Sequence, residues 1–180
     1  MSPSLRITAG TLRGRRLIVS PRDVRPTSER ARQGYFNIVG ERIRGARFVD
    51  LFAGSGAFAF EAISRGAASA IAIDTSRKNI AEIESKAKEW NAAVKAIAGD
   101  ALTVRPNDEV DLVYADPPYD FDRYDDLLLA VDKFKLSGGA LVAIEHRRKR
   151  EPFTAQPQHL VEKRRAEYGE VWITFFGRDR

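Results

Sequence analysis

The distribution of hydrophobic and polar positions along the chain changes near residue 46. Before that point, short apolar segments lie around Gly10 and Gly14, which predicts a β-hairpin. A helix is predicted from Ser28, acting as its N-terminal cap, to about Val39, because apolar residues recur there at helical spacing. After residue 46, short apolar segments typical of buried strands alternate with segments of helical period.

Seven strands and three helices are predicted in this second region. The helical segments are 57–65, 76–91 and 122–134. The strand segments read RFVDLF, SAIAID, VKAIAG, VDLVYA and ALVAIE, followed by two near HLVEKRRAE and EVWITFF. Because strands separated by helices form parallel sheets with helices on both faces, we expect an α/β domain with a mostly parallel sheet. A short turn at Gly169 joins the last two strands, so they should pair as an antiparallel hairpin.

The composition excludes several function classes. The 180 residues include no cysteine, which excludes disulfides, cysteine nucleophiles and thiolate metal sites. Two histidines are too few for a multi-histidine metal site. No apolar segment reaches the roughly 18 residues of a transmembrane helix, and the N-terminus does not resemble a signal peptide. We expect a cytoplasmic monomer that binds neither a metal nor a membrane.

The net charge of +5 is distributed unevenly. Residues 1–47 contain eleven arginines, no lysine and three acidic residues, so this segment carries +8 and the remainder carries −3. Such a basic segment is typical of proteins that bind a polyanion, and arginine can both bind phosphate and stack on bases. A solvated basic surface without a partner is the alternative. The arginines predicted to bind RNA are Arg6, Arg13, Arg15, Arg16, Arg25 and Arg32.

A glycine-containing segment follows the first predicted strand of the sheet and leads into a helix. Gly54 and Gly56 allow a tight turn and a close approach of the backbone to a ligand. Asp74 ends the next strand, twenty residues after Gly54, where an acidic residue can accept hydrogen bonds from ribose hydroxyls. With Ala59, the two glycines also fit the fingerprint of NAD-binding proteins.

Asp50 discriminates between two possible cofactors. Its carboxylate would repel a pyrophosphate but attract the ammonium and sulfonium groups of S-adenosylmethionine, and unit charges about 4 Å apart interact by about 4 kcal/mol in a partly screened site. We therefore predict S-adenosylmethionine. Asp100 is predicted to bind the adenine amino group, or alternatively to cap a helix that begins at Ala101. The predicted cofactor-binding residues are Asp50, Phe52, Ala53, Gly54, Gly56, Asp74, Asp100 and Asp116.

The Asp-Pro-Pro-Tyr loop, formed by Asp116, Pro117, Pro118 and Tyr119, follows the strand VDLVYA. Its two prolines fix the backbone and remove two N–H donors, which leaves a rigid loop rich in acceptors. Such a loop can bind both N–H groups of an exocyclic amino group on a base, while Tyr119 stacks on the base. We predict these four residues as catalytic, with Asp116 stabilising positive charge on the nitrogen. A stiff turn after a strand is the alternative.

Motifs along nearly the whole chain resemble those of the bacterial small-subunit rRNA guanine-N2 methyltransferases. They are Ala9-Gly10, Arg13-Gly14-Arg15, Arg25-Pro26-Thr27, Arg32, Phe36-Asn37, residues 50–56, residues 61–67 and the Asp-Pro-Pro-Tyr loop. The resemblance implies a Rossmann-like class I S-adenosylmethionine-dependent methyltransferase fold, with a basic hairpin extension at residues 1–27 before a methyltransferase domain at 28–180. It implies a loop guanine of 16S rRNA as substrate, methylated on the small ribosomal subunit or its assembly intermediate.

Two departures from the family pattern are visible. Gln33-Gly34 stands where the family usually has Glu-Ala, and glycine inside a helix costs about 1 kcal/mol relative to alanine. Asp74 replaces a more common glutamate but can still reach a ribose.

Two of the arginines predicted to bind RNA have an alternative role. Arg25 and Arg32 are also candidates for lining the active site near the cofactor carboxylate.

Three other functions fit parts of the sequence. A DNA adenine-N6 methyltransferase would use the same Asp-Pro-Pro-Tyr loop, although the chain leaves no room for a separate target-recognition domain. A non-catalytic RNA-binding module would be indicated by a degraded glycine segment or a missing acid, and neither is seen. An NAD-dependent oxidoreductase is disfavoured by Asp50 and by the lack of an obvious acid/base pair for hydride transfer.

Overall fold

The computed structural model describes residues 3–19, 26–147 and 153–178. The helices within these ranges are α1 (Pro26–Val39), α2 (Ala57–Ser64), α3 (Arg77–Glu89) and α4 (Tyr124–Asp132), and a short 3₁₀ helix (Gly40–Ile43) follows α1. The strands are β1 (Ser4–Arg6), β2 (Arg16–Ile18), β3 (Arg47–Leu51), β4 (Ser69–Asp74), β5 (Val94–Ala98), β6 (Val110–Ala115), β7 (Leu136–Arg147), β8 (Leu160–Tyr168) and β9 (Val171–Arg178).

Seven strands form one sheet in the order β5-β4-β3-β6-β7-β9-β8. Strands β3 to β7 pair in parallel, whereas β9 lies between β7 and β8 and is antiparallel to both. This confirms the predicted mostly parallel sheet with an antiparallel C-terminal hairpin. The strand order reverses between β3 and β6, and ligands bind at such a reversal, beyond the carboxyl ends of the strands.

Alternating side chains of the strands build one apolar core on each face of the sheet. Phe48 of β3 and Leu112 of β6 belong to the first core, which is covered by α1, α2 and α3. The adjacent Val49 and Val113 point to the opposite face and belong to the second core, which is covered by α4. Helices therefore cover both faces, as predicted.

The starts of α1 and β7 are among the element boundaries that differ from the prediction. Helix α1 begins at Pro26, so Ser28 lies inside its first turn instead of capping it. A proline is tolerated there because the first N–H groups of a helix have no partner within the helix. Strand β7 begins at Leu136, and Gly138 and Gly139 lie inside it, where its register with β6 shifts.

The predicted N-terminal hairpin is present, and it is fastened to the end of α2. The Thr8 backbone N–H and hydroxyl both donate to the buried Glu61 carboxylate, at 2.9 Å and 2.6 Å. The Ser64 hydroxyl donates to the Ala9 carbonyl at 2.5 Å and accepts from the Leu12 N–H at 2.8 Å. The segment 61–67, which carried part of the family resemblance, therefore includes the two residues of α2 that hold the hairpin.

The hairpin shares the apolar core of the α/β domain. Ile7, Leu12 and Leu17 are buried in the first core together with residues of α1 and α2. Leu5 pairs with Leu17 across the two strands, whereas Arg6 pairs with Arg16 on the opposite, outward face of the hairpin. The division into an extension at 1–27 and a domain at 28–180 stays a prediction, and the two parts pack together.

Candidate active site

A cavity of about 370 Å³ opens at the carboxyl ends of β3, β4 and β6. Its walls come from the segment after β3, from Asp74 at the end of β4 and from the Asp-Pro-Pro-Tyr loop after β6. Leu5, Glu29 and Arg32 form a further wall. The structure thus brings together residues that the sequence indicated separately, at the expected edge of the sheet.

The glycine loop, residues 52–56, has left-handed backbone at three positions. The φ angles are 62° at Phe52, 55° at Gly54 and 76° at Gly56. Glycine adopts this conformation without steric cost. A Cβ atom at Gly54 would meet no atom within 4 Å, whereas one at Gly56 would contact Ile83 at 3.0 Å. Of the residues predicted to bind the cofactor in this loop, Phe52, Ala53 and Gly54 line the cavity. Gly56 instead packs against the protein interior.

Asp74 connects the glycine loop to the start of α3. One carboxylate oxygen accepts a hydrogen bond from the Gly54 N–H at 2.8 Å, and the other accepts from the Ser76 N–H at 2.8 Å. The Asn79 side-chain amide donates to this second oxygen at 3.3 Å. Asp74 therefore fixes the shape of the glycine loop and also faces the cavity.

Asp50 places a buried carboxylate at the base of the cavity. It is 2% exposed, and it accepts one hydrogen bond from the Ala59 N–H in the first turn of α2, at 3.2 Å. Burial raises the pKa of Asp50 well above its ordinary value, and repulsion from Asp116 and Asp74 adds to the shift. A cation in the cavity would favour the charged form, which is the form that the predicted role of Asp50 requires.

The Asp-Pro-Pro-Tyr loop presents two exposed functional groups to the cavity. Pro117 is buried, whereas Asp116 and Tyr119 are exposed, Tyr119 at 67%. The guanidinium of Arg147, at the end of β7, lies over the Tyr119 ring. One face of this ring is therefore occupied by a cation, which leaves the opposite face to a stacking partner.

A buried pair beneath the loop was not predicted from the sequence. The Tyr114 hydroxyl donates to the Glu145 carboxylate at 2.5 Å, and Phe58 stacks on the Tyr114 ring with centroids 3.7 Å apart. Burial raises the pKa of Tyr114, and the charge of Glu145 adds to this shift. The pair links β7 to the end of β6, two residues before Asp116. The sequence signal that could have indicated this pair is Glu145, an acidic residue at the end of the apolar strand segment ALVAIE.

The predicted RNA-binding arginines occupy different environments. Arg6, Arg13, Arg15 and Arg16 are exposed on the hairpin, and Arg15 lies 5.4 Å from the Trp90 ring at the end of α3. Arg32 differs because it is 2% exposed and lines the cavity, where it is shielded from an RNA backbone. Arg25 lies outside the described residues.

Asp100 lies beside the cavity, between two of its lining residues, Gly99 and Ala101. Its side chain is exposed and accepts a hydrogen bond from the Leu102 N–H at 2.8 Å. Residues 101–103 form a turn and not the helix considered as the alternative, and the Asp100 side chain caps this turn. The adenine contact of Asp100 stays a prediction.

Features of two other function classes are absent from the described ranges. No three His, Asp or Glu side chains among the described residues are grouped as they would be around a metal ion. No described helix is long and apolar enough to cross a membrane.

Residues 5–177 match the family described as Conserved hypothetical protein 95. The chain belongs to this family. Relatives of the chain carry functional names. The Bacillus subtilis (strain 168) protein named "Putative rRNA methyltransferase YlbH" is 31% identical over 182 residues, covering 96% of this chain and 98% of that protein. The Escherichia coli (strain K12) "Ribosomal RNA small subunit methyltransferase D" is 37% identical over 127 residues, covering 66% of this chain and 62% of that protein.

Solved structures share the fold of this chain. "Putative methyltransferase yhhF from Escherichia coli" superimposes with a TM-score of 0.83 at 27% identity, covering 98% of this chain and 99% of that chain. The Thermus thermophilus 16S rRNA N2 G1207 methyltransferase (RsmC), in complex with AdoMet and guanosine, has a TM-score of 0.72 at 17% identity and covers 100% of this chain and 50% of that one. The fold is the Rossmann-like class I methyltransferase fold.

Proposed function

We propose that this protein transfers the methyl group of S-adenosylmethionine to the N2 amino group of a loop guanine in 16S rRNA, on the small ribosomal subunit or its assembly intermediate. The observation that carries the proposal is the position of the Asp-Pro-Pro-Tyr loop on a wall of the cavity that holds Asp50 and the glycine loop. The names of two relatives support rRNA as the substrate class. The resemblance of the chain's motifs to guanine-N2 methyltransferases supports the choice of guanine.

The cavity suits S-adenosylmethionine, which supplies an electrophilic methyl group on a positively charged sulfur. Asp50 would hold the positive charge of this molecule, since a buried carboxylate is stabilised by a nearby cation. Asp74 would accept hydrogen bonds from the ribose hydroxyls, beside the Gly54 backbone that it already orders. Phe52 and Ala53 would add apolar contacts along the same wall.

The Asp-Pro-Pro-Tyr loop would position the amino group of the base. Conjugation with the ring makes an exocyclic amino nitrogen a poor nucleophile, so orientation is the main requirement. The Asp116 carboxylate and the carbonyls of the loop bind the two N–H groups, which directs the nitrogen lone pair toward the methyl group. Asp116 also stabilises the positive charge that develops on the nitrogen and accepts the proton that then leaves.

Tyr119 would hold the base against the loop. Because the Arg147 guanidinium covers one face of the ring, the base stacks on the other face. Stacking of a base on an aromatic side chain contributes about 1–3 kcal/mol. The Tyr114–Glu145 hydrogen bond positions the end of β6 and therefore the loop that follows it.

Contacts to the RNA backbone would come from the outward face of the hairpin. Arg6 and Arg16 face each other across β1 and β2 on this surface, next to Leu5 at the cavity wall. Ile18 lies on the same face and is 69% exposed, which provides an apolar contact for a base. Arg15 lies over the Trp90 ring at the end of α3.

Substitution of Asp116 tests the catalytic assignment. Asp116→Ala should lower methyl transfer to small subunits at least about hundred-fold, because it removes the charge that stabilises the developing cation. The affinity for S-adenosylmethionine, measured by calorimetry, should stay close to that of the wild type. Asp120→Ala is the matched control, since Asp120 is an exposed acid next to the loop. Near-normal turnover of Asp116→Ala would contradict the assignment.

The same methyl-transfer assay, run with three different substrates, tests the proposed substrate class. Small subunits, protein-free 16S rRNA and duplex DNA are each incubated with labelled S-adenosylmethionine. Methyl transfer to either RNA sample supports the proposal and shows which form is preferred. Transfer to duplex DNA alone would contradict it and favour a DNA adenine-N6 methyltransferase.

A further inference from the structure

Arg32 is a buried cation without a complete set of partners. Its guanidinium Nη2 donates to the Arg6 carbonyl at 2.9 Å, but its Nε is buried and has no hydrogen-bond partner among the described residues. None of the ion pairs between described residues includes Arg32. A buried charge is costly unless it is paired, so this position requires an anion.

The nearby carboxylates do not meet this requirement. Glu61 accepts from Thr8 and forms an ion pair with Arg65 at 2.9 Å, so its oxygens are already used. Glu29, one turn before Arg32 on α1, is exposed to solvent. Burial lowers the pKa of Arg32, and the charges of these two acids only partly offset the shift.

The position of Arg32 in the cavity indicates which anion would satisfy it. Arg32 and Asp50 both line the cavity and are each 2% exposed, so its wall contains one buried cation and one buried anion. An α-amino acid has the complementary pair, a carboxylate and an ammonium on the same carbon. An RNA phosphate has no positive charge to satisfy Asp50, and its chain could not follow it into this buried position.

We propose that Arg32 binds the α-carboxylate of the methionine part of S-adenosylmethionine, while Asp50 attracts its ammonium group. The inference rests on the cofactor named in the proposed function. A planar guanidinium can bind a carboxylate with two hydrogen bonds, and the buried Nε supplies a donor for one of them. The two charges fix the direction of the methionine chain, with the adenosine toward Asp74.

The contact also connects cofactor binding to the hairpin. The Arg6 carbonyl in β1 accepts a hydrogen bond from Arg32, and the adjacent Leu5 lines the cavity. The strand whose outward face would contact RNA therefore orients the side chain that would contact the cofactor. Arg32 therefore connects the two binding surfaces, because the Arg6 carbonyl of β1 orients the guanidinium that would contact the cofactor.

The affinity ratio between S-adenosylmethionine and its decarboxylated analogue isolates the carboxylate, because the analogue keeps both the ammonium and the sulfonium. The wild-type protein should prefer S-adenosylmethionine by about ten- to hundred-fold, as expected for a charge-assisted hydrogen bond. In Arg32→Met this preference should be lost, mainly through weaker binding of S-adenosylmethionine. Arg32→Lys keeps the charge without the planar fork and should retain part of it.

Arg30→Met is the matched control, because Arg30 is an exposed arginine on the same helix. It should keep the wild-type ratio. A ratio near one in the wild-type protein, or an unchanged ratio in Arg32→Met, would overturn the inference. An equal loss of affinity for both molecules in Arg32→Met would also overturn it, because the role of Arg32 would then be structural. Failure of the wild type to bind either molecule would instead contradict the proposed function.

Discussion

At the scale of single residues, the cavity wall contains one basic and one acidic side chain that are shielded from water. Asp50 and Arg32 are almost fully buried, and neither has an ion-pair partner among the residues that the structure describes. Charging these two groups in a buried position costs free energy, and a ligand with complementary charges removes that cost. The cavity is therefore prepared for a ligand that carries both charges.

Binding of S-adenosylmethionine should release a proton from Asp50. Burial holds the pKa of Asp50 well above its ordinary value in the free protein, so this carboxyl stays protonated to a higher pH than usual. A bound cation favours the carboxylate and lowers that pKa again. Below the raised pKa, affinity should therefore increase with pH, and calorimetry in buffers of different protonation enthalpy should detect the released proton.

Asp50→Asn is the control for this proton release, since the amide has the same shape and does not titrate. The variant should bind S-adenosylmethionine more weakly, and the pH-dependent release should disappear. Proton uptake by the wild type, or the same release in the variant, would contradict the role of Asp50.

The acidic residues of the site were predictable, whereas for Arg32 the sequence left two environments open, an RNA-binding surface and the active site, and the structure places it on the cavity wall. Asp50, Asp74 and Asp116 each lie at or just after the end of an apolar strand, and the ends of parallel strands meet at one edge of the sheet. The buried Arg32 donates a hydrogen bond to the Arg6 carbonyl, 26 residues earlier in the chain. A sequence pattern contains no record of such a long-range contact.

At the scale of elements, helix α1 packs against the C-terminal hairpin through an unusual residue. Gly34 lies inside the helix, and a Cβ atom there would overlap the ring of Tyr168 at the end of β8. The departure Gln33-Gly34 from the family pattern therefore has a packing explanation at its second residue. Glycine has a lower helix propensity than alanine, but its lack of a Cβ atom allows the Tyr168 ring to lie against the α1 backbone.

Gly34→Ala should destabilise the fold, although alanine is the better helix former. Overpacking costs about 1–3 kcal/mol, and over most of this range the cost is larger than the gain of about 1 kcal/mol in helix propensity. Urea unfolding measures the change in the free energy of unfolding. In a Tyr168→Ala background the same substitution should become neutral or stabilising, because the overlap is gone. Equal destabilisation in both backgrounds would contradict this explanation.

The hairpin could be predicted as an element, but its attachment could not. Its strands have local apolar and glycine signals, whereas Thr8 contacts Glu61 across 53 positions of the chain. Gly10 allows the close approach, because a Cβ atom there would overlap the Ser64 carbonyl. The alternating strands and helices after residue 46 were predicted more accurately because their periodicity is local.

At the scale of the whole molecule, the charge asymmetry predicts where RNA binds. The segment 1–47 carries +8, and its hairpin places Arg6 and Arg16 on the outward face nearest the cavity. The 3₁₀ helix carries Arg42 and is followed by Arg44 shortly before β3 begins, at the opposite end of the sheet. The pair Arg6 and Arg16 and the pair Arg42 and Arg44 carry the same charge, but only the first pair lies next to the cavity.

Arg6→Ala with Arg16→Ala should weaken binding to the substrate RNA and reduce its salt dependence. On single-stranded RNA, removing one phosphate-binding side chain lowers the slope of log affinity against log salt by about 0.7. Arg42→Ala with Arg44→Ala is the matched control, because it removes the same net charge far from the cavity. Equal effects of the two double variants would show that general charge, and not the hairpin face, determines binding. Substitution is preferable to deletion, because Ile7, Leu12 and Leu17 belong to the core.

The identity of the methylated nucleoside tests the central claim most directly. Small ribosomal subunits from cells that lack this protein are incubated with the protein and isotopically labelled S-adenosylmethionine. The 16S rRNA is then digested to nucleosides and analysed by mass spectrometry. The proposed function predicts that the label appears as N2-methylguanosine. Label in another nucleoside, or none in 16S rRNA while wild-type protein binds the cofactor, would contradict it.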